Sequence, residues 1–343
     1  MAYITFQPND YFNTKLYTGN GSTQSITGVG FSPSWVWLKR RDASASHELH
    51  DAVRGATKRL KSDGTNAEFT DTDTLTSFDS DGFSIGSGSQ INTNSATQVS
   101  WNWLANGQGS ANSDGSINTT YTSANTTSGF SIVKYTGTGA NATVGHGLGV
   151  APSMIITKSL VATQEWCVGM DALGWDKLLF LNETSASQSG STYWQSTAPT
   201  NQVFSVGTAG PTNSSSAMIA YCFAEKTGFS KFGSYTGNGN ADGAFVYTGF
   251  KPAFILIRSV STTNWNMFDN KRSAFNVADE TFWSNSTNSE ANVGTSYGID
   301  ILSNGFKAKT VSSQVNNNNT VHIFMAFAEA PLVGSNNVPA TAR

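Results

Sequence analysis

The sequence contains three copies of one pattern, and this repetition constrains the fold more than any other feature. Each copy has a Tyr-Thr-Gly-x-Gly motif, a proline with an apolar run that ends in a basic residue, an Asp, and a second apolar run. The copies follow one another at intervals of roughly 100 to 120 residues, the size of a domain rather than of a solenoid repeat. The motifs begin at Tyr17, Tyr135 and Tyr235; the prolines are Pro33, Pro152 and Pro252; the acids are Asp51, Asp171 and Asp269.

This repetition predicts three tandem domains joined by little connecting chain. Repeat 1 is expected over residues 1–105, repeat 2 over 129–225, and repeat 3, with a C-terminal tail, over 226–343. Residues 106–128 are rich in Gly, Ser and Asn and are predicted to form a linker. A residue that recurs in every copy performs the same local task in each. The three Tyr and three Asp residues are therefore interpreted as structural positions, for example as acceptors of turn amides.

The apolar runs predict an all-β fold. They are short, rich in Val, Ile, Phe, Tyr and Trp, and bounded by Gly, Asn, Ser and Asp, which is typical of strands and turns. The closing run of repeat 2, residues 219–223, is apolar at every position, so both faces of that strand are expected to be buried. One short helix is expected from His47 to Leu60. We predict three tandem β-sandwich domains of jelly-roll or lectin-like type, with short helical turns.

Composition excludes several classes of protein. Only 13% of the 343 residues are charged and the formal net charge is −3, so no basic field exists to hold nucleic acid or an anionic membrane. No run approaches the ~18 apolar residues of a membrane helix, and residues 1–7 lack the segments of a signal peptide. Cys167 and Cys222 are interpreted as buried thiols of a chain made in a reducing cytoplasm. An aromatic content of 12% supplies a core, which excludes disorder.

No combination of residues predicts catalysis, a metal centre or a cofactor site. His47 and His50 stand three positions apart, whereas a zinc-binding helix places its two His four apart. The four His are interpreted as residues of polar loops or of the surface. Acids cluster around Asp79 and Asp81, and the sequence leaves open whether these two bind calcium, because no bidentate Glu follows at the required spacing.

Tryptophan supplies the candidate binding residues. Exposed Trp side chains stack on sugar rings and anchor protein partners. Most of the nine Trp residues lie in predicted strands and are expected in the core. Trp175, Trp194 and Trp283 lie near predicted loops, and we predict that these three contact a glycan or a protein partner.

Three strings of repeat 1 resemble a known group of proteins. Tyr17–Gly21, Gly30–Lys39 and Ser80–Gly86 resemble a repeated domain in virion structural proteins of tailed bacteriophages, many of them marine, often labelled tail fibre or tail protein. The resemblance is weaker in repeats 2 and 3; in repeat 2, Asn201–Gly207 replaces the last string. It implies a virion component and brings no catalytic residues with it.

Composition, repetition and resemblance together predict a tail fibre or receptor-binding protein that contacts the host surface without catalysis. Two alternatives stay open: a capsid decoration or vertex protein, and, ranked lower, an enzyme that degrades surface glycan. The expected partners are other virion proteins, further copies of the chain in a homotrimer, and a host glycan or protein receptor. The expected location is the tail or head surface of the virion, after synthesis in the host cytoplasm. The end segments 1–10 and 332–343 are expected to contact neighbouring chains or the preceding domain.

Overall fold

The computed structural model describes residues 7–333 and 339–340 and is all-β. The strands pair antiparallel throughout the sheets, and the helices are single turns. Of the end segments that are predicted to contact other chains, residues 1–6, 334–338 and 341–343 lie outside the described residues.

Repeat 1 begins with a 3-10 turn, Pro8–Asp10, and ends at Trp103. Its large sheet has the strand order β1-β9-β3-β4, and its small sheet the order β2-β8-β7. The elements are β1 (Phe12–Thr18), β2 (Gln24–Thr27), β3 (Trp35–Arg40), β4 (Glu48–Asp51), β5 (Lys58–Arg59), β6 (Phe69–Thr70), β7 (Leu75–Asp79), β8 (Gly82–Ile85), α1 (Ser89–Asn92) and β9 (Thr97–Trp103).

Repeat 2 has a related plan, but its large sheet has seven strands where that of repeat 1 has four, and its small sheet has two strands where that of repeat 1 has three. The large sheet has the order β10-β11-β18-β13-β14-β15-β16, and the small sheet consists of β12 and β17. The elements are β10 (Thr119–Asn125), β11 (Phe130–Thr136), β12 (Ala142–Gly145), β13 (Met154–Ser159), β14 (Cys167–Met170), β15 (Lys177–Phe180), β16 (Gln188–Ser189), α2 (Ser191–Trp194), β17 (Val203–Val206), α3 (Gly210–Asn213) and β18 (Ala217–Phe223).

Repeat 3 follows after a short connection and includes a 3-10 turn, Gly294–Ser296. Its large sheet has the order β19-β27-β21-β22-β23-β24, and its small sheet the order β20-β26-β25. The elements are β19 (Ser230–Thr236), β20 (Phe245–Tyr247), β21 (Pro252–Ser259), β22 (Asn266–Asp269), β23 (Glu280–Trp283), β24 (Ala291–Asn292), β25 (Ile299–Leu302), β26 (Gly305–Ala308), α4 (Ser313–Asn316), β27 (Val321–Ala328), β28 (Leu332–Val333) and β29 (Pro339–Ala340).

Two local predictions differ from the structure. The segment from His47 to Leu60 is not a helix: it forms β4, a turn and β5, because Asp51 accepts the amide of Arg54 and turns the chain back. The segment 106–128 is not linker throughout, since its second half is β10, which pairs with β11. Ile117 is 7% exposed and bridges to β12, so even this Gly-rich stretch contributes to the core of repeat 2.

Within each repeat an apolar layer separates the large sheet from the small one. In repeat 1 the layer includes Val36 and Leu38 of β3 together with Phe83 and Ile85 of β8. Corresponding clusters lie between the two sheets of repeats 2 and 3. Alternation along each strand directs the remaining side chains to the other face of the large sheet.

That other face does not meet solvent, because the three large sheets pack on one another around a single shared core. The ring of Trp35 stacks on Tyr221 at 4.6 Å, which joins repeats 1 and 2. Phe12 stacks on Phe327 at 5.1 Å and joins repeats 1 and 3, and Phe223 meets Phe232 at 5.9 Å between repeats 2 and 3. The central strands of each large sheet are therefore buried on both faces, and the repeats form one body.

The ladder registers define which residues are equivalent, and equivalent residues make equivalent contacts around the shared core. Asp51, Met170 and Asp269 occupy one position, opposite the second residue after each repeated proline. Four positions earlier stand His47, Trp166 and Trp265. Each bonds through a ring nitrogen to a backbone carbonyl of another repeat, in a cyclic order of repeats. The pairs are His47 with Trp283 (3.1 Å), Trp166 with Lys61 (2.8 Å) and Trp265 with Phe180 (2.8 Å).

Candidate functional site

The repeated tyrosines are structural residues that hold the helical turn before each closing strand. The hydroxyl of Tyr17 donates to the carbonyl of Ile91 at 2.8 Å, and that of Tyr135 to Thr212 at 2.6 Å. The hydroxyl of Tyr235 donates at 2.6 Å to a carbonyl in α4. Burial raises the pKa of all three phenols, so each stays a neutral donor.

A buried asparagine, which the sequence did not predict, also links the helical turn to the Tyr-Thr-Gly-x-Gly motif in every repeat. In repeat 2 the side chain of Asn213 accepts the amide of Thr138 and donates to the carbonyls of Ala140 and Gly207. Asn92 and Asn316 make the same contacts in repeats 1 and 3. The first glycine of the motif leaves room for the turn: a Cβ on Gly137 would lie 2.0 Å from a backbone oxygen. The motif is therefore a fold determinant.

Asp51 and Asp269 are buried completely, and each pairs with the Arg three residues later. Each also accepts a hydrogen bond from another repeat: Asp51 from the hydroxyl of Tyr221 at 2.7 Å, and Asp269 from Nε1 of Trp101 at 3.1 Å. Both carboxylates thus connect repeats, and neither faces a cleft in which a substrate could meet it.

The assignment of Asp171 to the same position is wrong. The register places Met170 opposite Met154, where Asp51 and Asp269 lie in the other repeats, and Asp171 is exposed. Leu173 follows where the others have Arg, and Met325 of repeat 3 stands where Tyr221 and Trp101 stand. The third junction is therefore apolar, and the Asp171 side chain instead accepts a hydrogen bond from Nε1 of Trp175 at 2.6 Å.

The basic residue that ends each first apolar run is buried between repeats. Nζ of Lys39 donates to the carbonyls of Ala45 (2.5 Å) and Thr287 (2.9 Å). Lys158 donates to Thr65 of repeat 1, and Arg258 to Ser185 of repeat 2, in the same cyclic order. Burial lowers the pKa of Lys39 and of Lys158 to about 8, and that of Arg258 to about 10.

The three predicted binding tryptophans do not form a surface. Trp194 is fully buried and Trp175 is 7% exposed, and the two rings meet edge to face at 5.5 Å inside repeat 2. Both are core residues, because the turn that carries Trp175 and helix α2, which ends at Trp194, bring the two rings against Gly169 of the large sheet. Trp283 is half-buried, donates to Asn266 at 3.1 Å and packs on Tyr297 in repeat 3. Burial removes Trp175 and Trp194 from the candidate binding residues.

Histidines, cysteines and clustered acids form no metal centre in the part of the chain that the structure describes. All four His are buried rather than superficial, and each bonds to a backbone carbonyl. Cys167 and Cys222 are free and buried, as predicted. Asp79 accepts two serine hydroxyls, and Asp81 accepts the amides of Gly28 and Gly30, so these acids order a turn.

One exposed aromatic surface stands out, on the small sheet of repeat 3. Phe245 and Tyr247 alternate with buried Val246 on the edge strand β20, and they are 48% and 64% exposed. Lys307 pairs with Phe245 across the ladder, and its Nζ lies 2.5 Å from Oδ1 of Asp242. The hydrogen bond from Lys307 holds the pKa of Asp242 below its usual value. We call Phe245, Tyr247, Lys307 and Asp242 the aromatic face.

The other two repeats have small polar residues at the same places. Ser25 and Thr27 occupy the positions of Phe245 and Tyr247 in repeat 1, and Thr143 and Gly145 occupy them in repeat 2. Large apolar side chains on an exposed edge strand favour aggregation, and proteins normally avoid them unless they bind a partner. The aromatic face therefore distinguishes repeat 3 and is the candidate functional site.

This surface offers two rings on one strand face, roughly 7 Å apart along the chain, beside a charged pair. Such a combination can stack on a flat apolar ring while Lys307 and Asp242 hydrogen-bond to its polar rim. Phe245 and Tyr247 were not predicted as binding residues because the prediction started from Trp and not from Phe or Tyr. The signal was present in the repeats, since Phe-Val-Tyr in repeat 3 replaces Ser-Ile-Thr in repeat 1.

These contacts define an all-β protein of three fused repeats around one core, with an aromatic face on a single repeat. A family model described as a domain of unknown function, DUF7483, matches residues 7–331. The chain belongs to this family, and the match spans all three repeats in one piece. A search of the curated proteins finds no match to the chain. No helix within the described ranges is long and apolar enough to cross a membrane.

Proposed function

We propose that the protein is a phage virion structural protein, a tail fibre or receptor-binding component that attaches to the host surface by non-catalytic binding. The observation that carries the proposal is the aromatic face: two exposed rings and an ion pair on one repeat, where the other repeats are small and polar. The resemblance of Tyr17–Gly21 and Gly30–Lys39 to phage tail proteins supports the virion part. The large and small sheets stacked in each repeat support a lectin-like β-sandwich.

The proposed attachment predicts that replacing both rings removes binding without unfolding the protein. Phe245→Ser with Tyr247→Thr copies the residues of repeat 1, so the sheet is expected to keep its stability. Binding to host cells or to an array of their surface glycans should fall at least tenfold, since aromatic anchors dominate binding free energy. Ser25→Ala with Thr27→Ala, at the matching place in repeat 1, is the control. Unchanged binding in the double ring variant would refute attachment through this face.

A capsid decoration protein is the second candidate, and the shared core favours it. Three repeats around one core present three small sheets outward, which suits a seat at a threefold point of a shell. Gold-labelled antibody against the chain distinguishes the two: label on tails supports attachment, label on heads supports decoration, and unlabelled particles argue against both. The first proposal includes a homotrimer. One chain has a mass of 36.4 kDa, so light scattering distinguishes a single chain from a trimer in solution.

A glycan-degrading enzyme receives less support from the site residues. Asp51 and Asp269, the acids that repetition singled out, are each held by an Arg inside the shared core. A glycosidase needs two carboxyl groups that face each other across a substrate cleft. Release of reducing sugar from host polysaccharide by the purified chain would raise this alternative.

A further inference from the structure

Strand β19 is the outermost strand of the large sheet of repeat 3, and one of its edges has no neighbouring strand among the described residues. At its other edge it pairs with β27, where the amide of Gly237 donates to the carbonyl of Thr320 at 2.9 Å. Alternate residues of an antiparallel strand direct their backbone groups to opposite sides. The amides and carbonyls of Ser234 and Thr236 therefore point away from β27, and both residues are exposed.

Strand β20 of the small sheet has an open edge of the same kind. The amide of Thr248 donates to the carbonyl of Asn304 at 3.0 Å, so the backbone groups of Phe245 and Tyr247 point away from β26. The opposite edge of this sheet is closed by the chain itself, through a bridge from Ala278 to β25. An open edge with large apolar side chains favours pairing with another strand.

In repeat 2 the chain's own residues cover the edge that is equivalent to that of β20. The amide of Ile117 donates to the carbonyl of Thr143 at 2.9 Å, and Oγ of Ser116 accepts the amide of Thr143 at 2.9 Å. Thr143 occupies the position of Phe245. Gly115 passes so close that a Cβ on it would lie 2.5 Å from the Thr143 oxygen, while the Ile117 side chain enters the apolar layer.

The same segment continues as β10 and covers the edge that is equivalent to that of β19. Tyr121 stands opposite Lys134, and Lys134 is equivalent to Ser234 of repeat 3. The Tyr121 side chain packs against the shared core. One continuous stretch, residues 115–125, thus closes both edges of repeat 2 and shows that these edges accept an additional extended segment.

Repeat 3 has no such stretch of its own at this place. In repeat 2, residues 104–118 lead from β9 to β10 and include part of the covering stretch, whereas only residues 224–229 connect β18 to β19. Those residues form a turn, in which the amide of Ser230 donates to the carbonyl of Lys226 at 2.9 Å. In the described part of the chain, no further segment pairs with the open edge of β19 or of β20.

We infer that repeat 3 binds one extended polypeptide segment of a partner protein, which pairs with β20 and β19 as residues 115–125 pair with β12 and β11. Main-chain hydrogen bonds supply affinity in such strand addition, and alternate side chains supply specificity. The expected segment has a small, an aliphatic and an aromatic residue at the spacing of Gly115, Ile117 and Tyr121. The contact uses strand edges, whereas the rings of the aromatic face project from the sheet, so the inference does not depend on the proposed attachment.

The test uses the full chain and a synthetic peptide with the sequence of residues 113–128, and follows hydrogen exchange by mass spectrometry. We expect saturable binding, with slower amide exchange at residues 230–236 and 245–247 when the peptide is bound. A scrambled peptide of the same composition is the control and should protect neither strand.

One variant of the chain and one of the peptide examine the proposed geometry. Ser234→Pro removes an outward amide without removing a bond to β27, and should weaken peptide binding by roughly tenfold, which corresponds to about 1.4 kcal/mol. Ser234→Thr keeps the amide and should bind like the natural chain. A peptide with Gly115→Val cannot approach the edge as closely and should also bind roughly tenfold more weakly, and this variant leaves the folding of the chain untouched.

The inference is overturned if the natural peptide does not saturate, or if the Pro and Val variants bind as well as the natural pair. Slow exchange at residues 230–236 in the chain alone would also overturn it: at every concentration it would mean that the chain covers its own edge, and only at high concentration that a second copy does. Ser234→Pro should bind host cells like the natural chain. Peptide binding without host binding would support this inference and refute attachment, and the reverse result would do the opposite.

Discussion

Lys39, Lys158 and Arg258 occupy one position of the three repeats, and each is held by backbone carbonyls at a junction. Burying a cation costs free energy because protein dipoles replace its water only partly. A lysine can relieve this cost by losing its proton, and its neutral amine still has two N–H groups to donate. Arg258 cannot follow over ordinary pH, because its pKa stays at about 10.

The lowered pKa of Lys39 predicts how stability depends on pH. Its pKa is about 8 in the folded chain and about 10.4 in the unfolded chain, so between these values the unfolded chain binds more protons. Stability from this group therefore rises with pH above 8. Relative to Lys39→Met, the natural chain should gain about 1–2 kcal/mol from pH 8 to 9.5 in urea unfolding. The difference in stability between the natural chain and Lys39→Met removes any pH dependence that both share, such as that of the buried thiols. Lys177→Met, at an exposed lysine, is the control. A constant difference would contradict the prediction.

At the scale of elements, the junctions between the large sheets place equivalent residues in the same positions but differ in chemistry: some are ion-paired and one is apolar. Two junctions hold a buried Asp–Arg pair that accepts a donor from the neighbouring repeat, and the third has Met170, Leu173 and Met325 in the same places. Buried ion pairs seldom stabilise more than a well-packed apolar set, although breaking one is costly. One chain thus contains both an ion-paired and an apolar version of the same junction, and their stabilities can be compared.

That comparison predicts the outcome of exchanging one junction for the other. Asp51→Met alone leaves the Arg54 guanidinium buried without its main partner, which should cost about 3–5 kcal/mol. Adding Arg54→Leu and Tyr221→Met copies the apolar junction, and the triple variant should return to within about 2 kcal/mol of the natural chain. Urea unfolding measures both. If the triple variant is no more stable than the single one, the ion pair is required and the equivalence of the junctions is wrong.

The elements also show how far sequence reasoning reaches. The all-β class, the buried cysteines and the repeated motif are predictable because turn glycines and apolar runs are local signals. Asp171 was misassigned because Asp-Ala occurs at 51–52 and 171–172, and only the strand register shows that Met170 is the equivalent residue. The expected helix at 47–60 fails because its residues pair with distant strands, and local sequence does not encode distant pairing.

The whole molecule depends on the shared core, which no single repeat can form. The continuous apolar run at residues 219–223 predicts that strand β18 is buried on both faces, and it does not predict what covers the second face. The answer is the large sheets of the two other repeats, through contacts such as Trp35 with Tyr221 and Phe223 with Phe232. Each repeat has an apolar layer of its own between its two sheets, and the three repeats share one further apolar core.

This sharing predicts that the repeats unfold together. Heating or urea should give one cooperative transition seen equally by tryptophan fluorescence and circular dichroism. An isolated repeat 2, residues 110–225, should show no cooperative transition and should bind a hydrophobic dye, because one face of its large sheet is uncovered. Full-length chain under the same conditions is the control. Separate transitions, or a folded fragment, would mean that the apolar layer within one repeat is enough to fold that repeat without the shared core.

Fusing three repeats into one chain also sets how many copies of a binding surface each chain carries. Three identical unfused domains would carry any surface feature three times, whereas each of these chains carries the aromatic face once, and the proposed homotrimer carries it three times. We expect a single face of two rings to bind weakly and to release quickly. In the proposed attachment function, firm binding then requires avidity, which rises with the number of copies on one particle and depends on a spacing that lets them engage together.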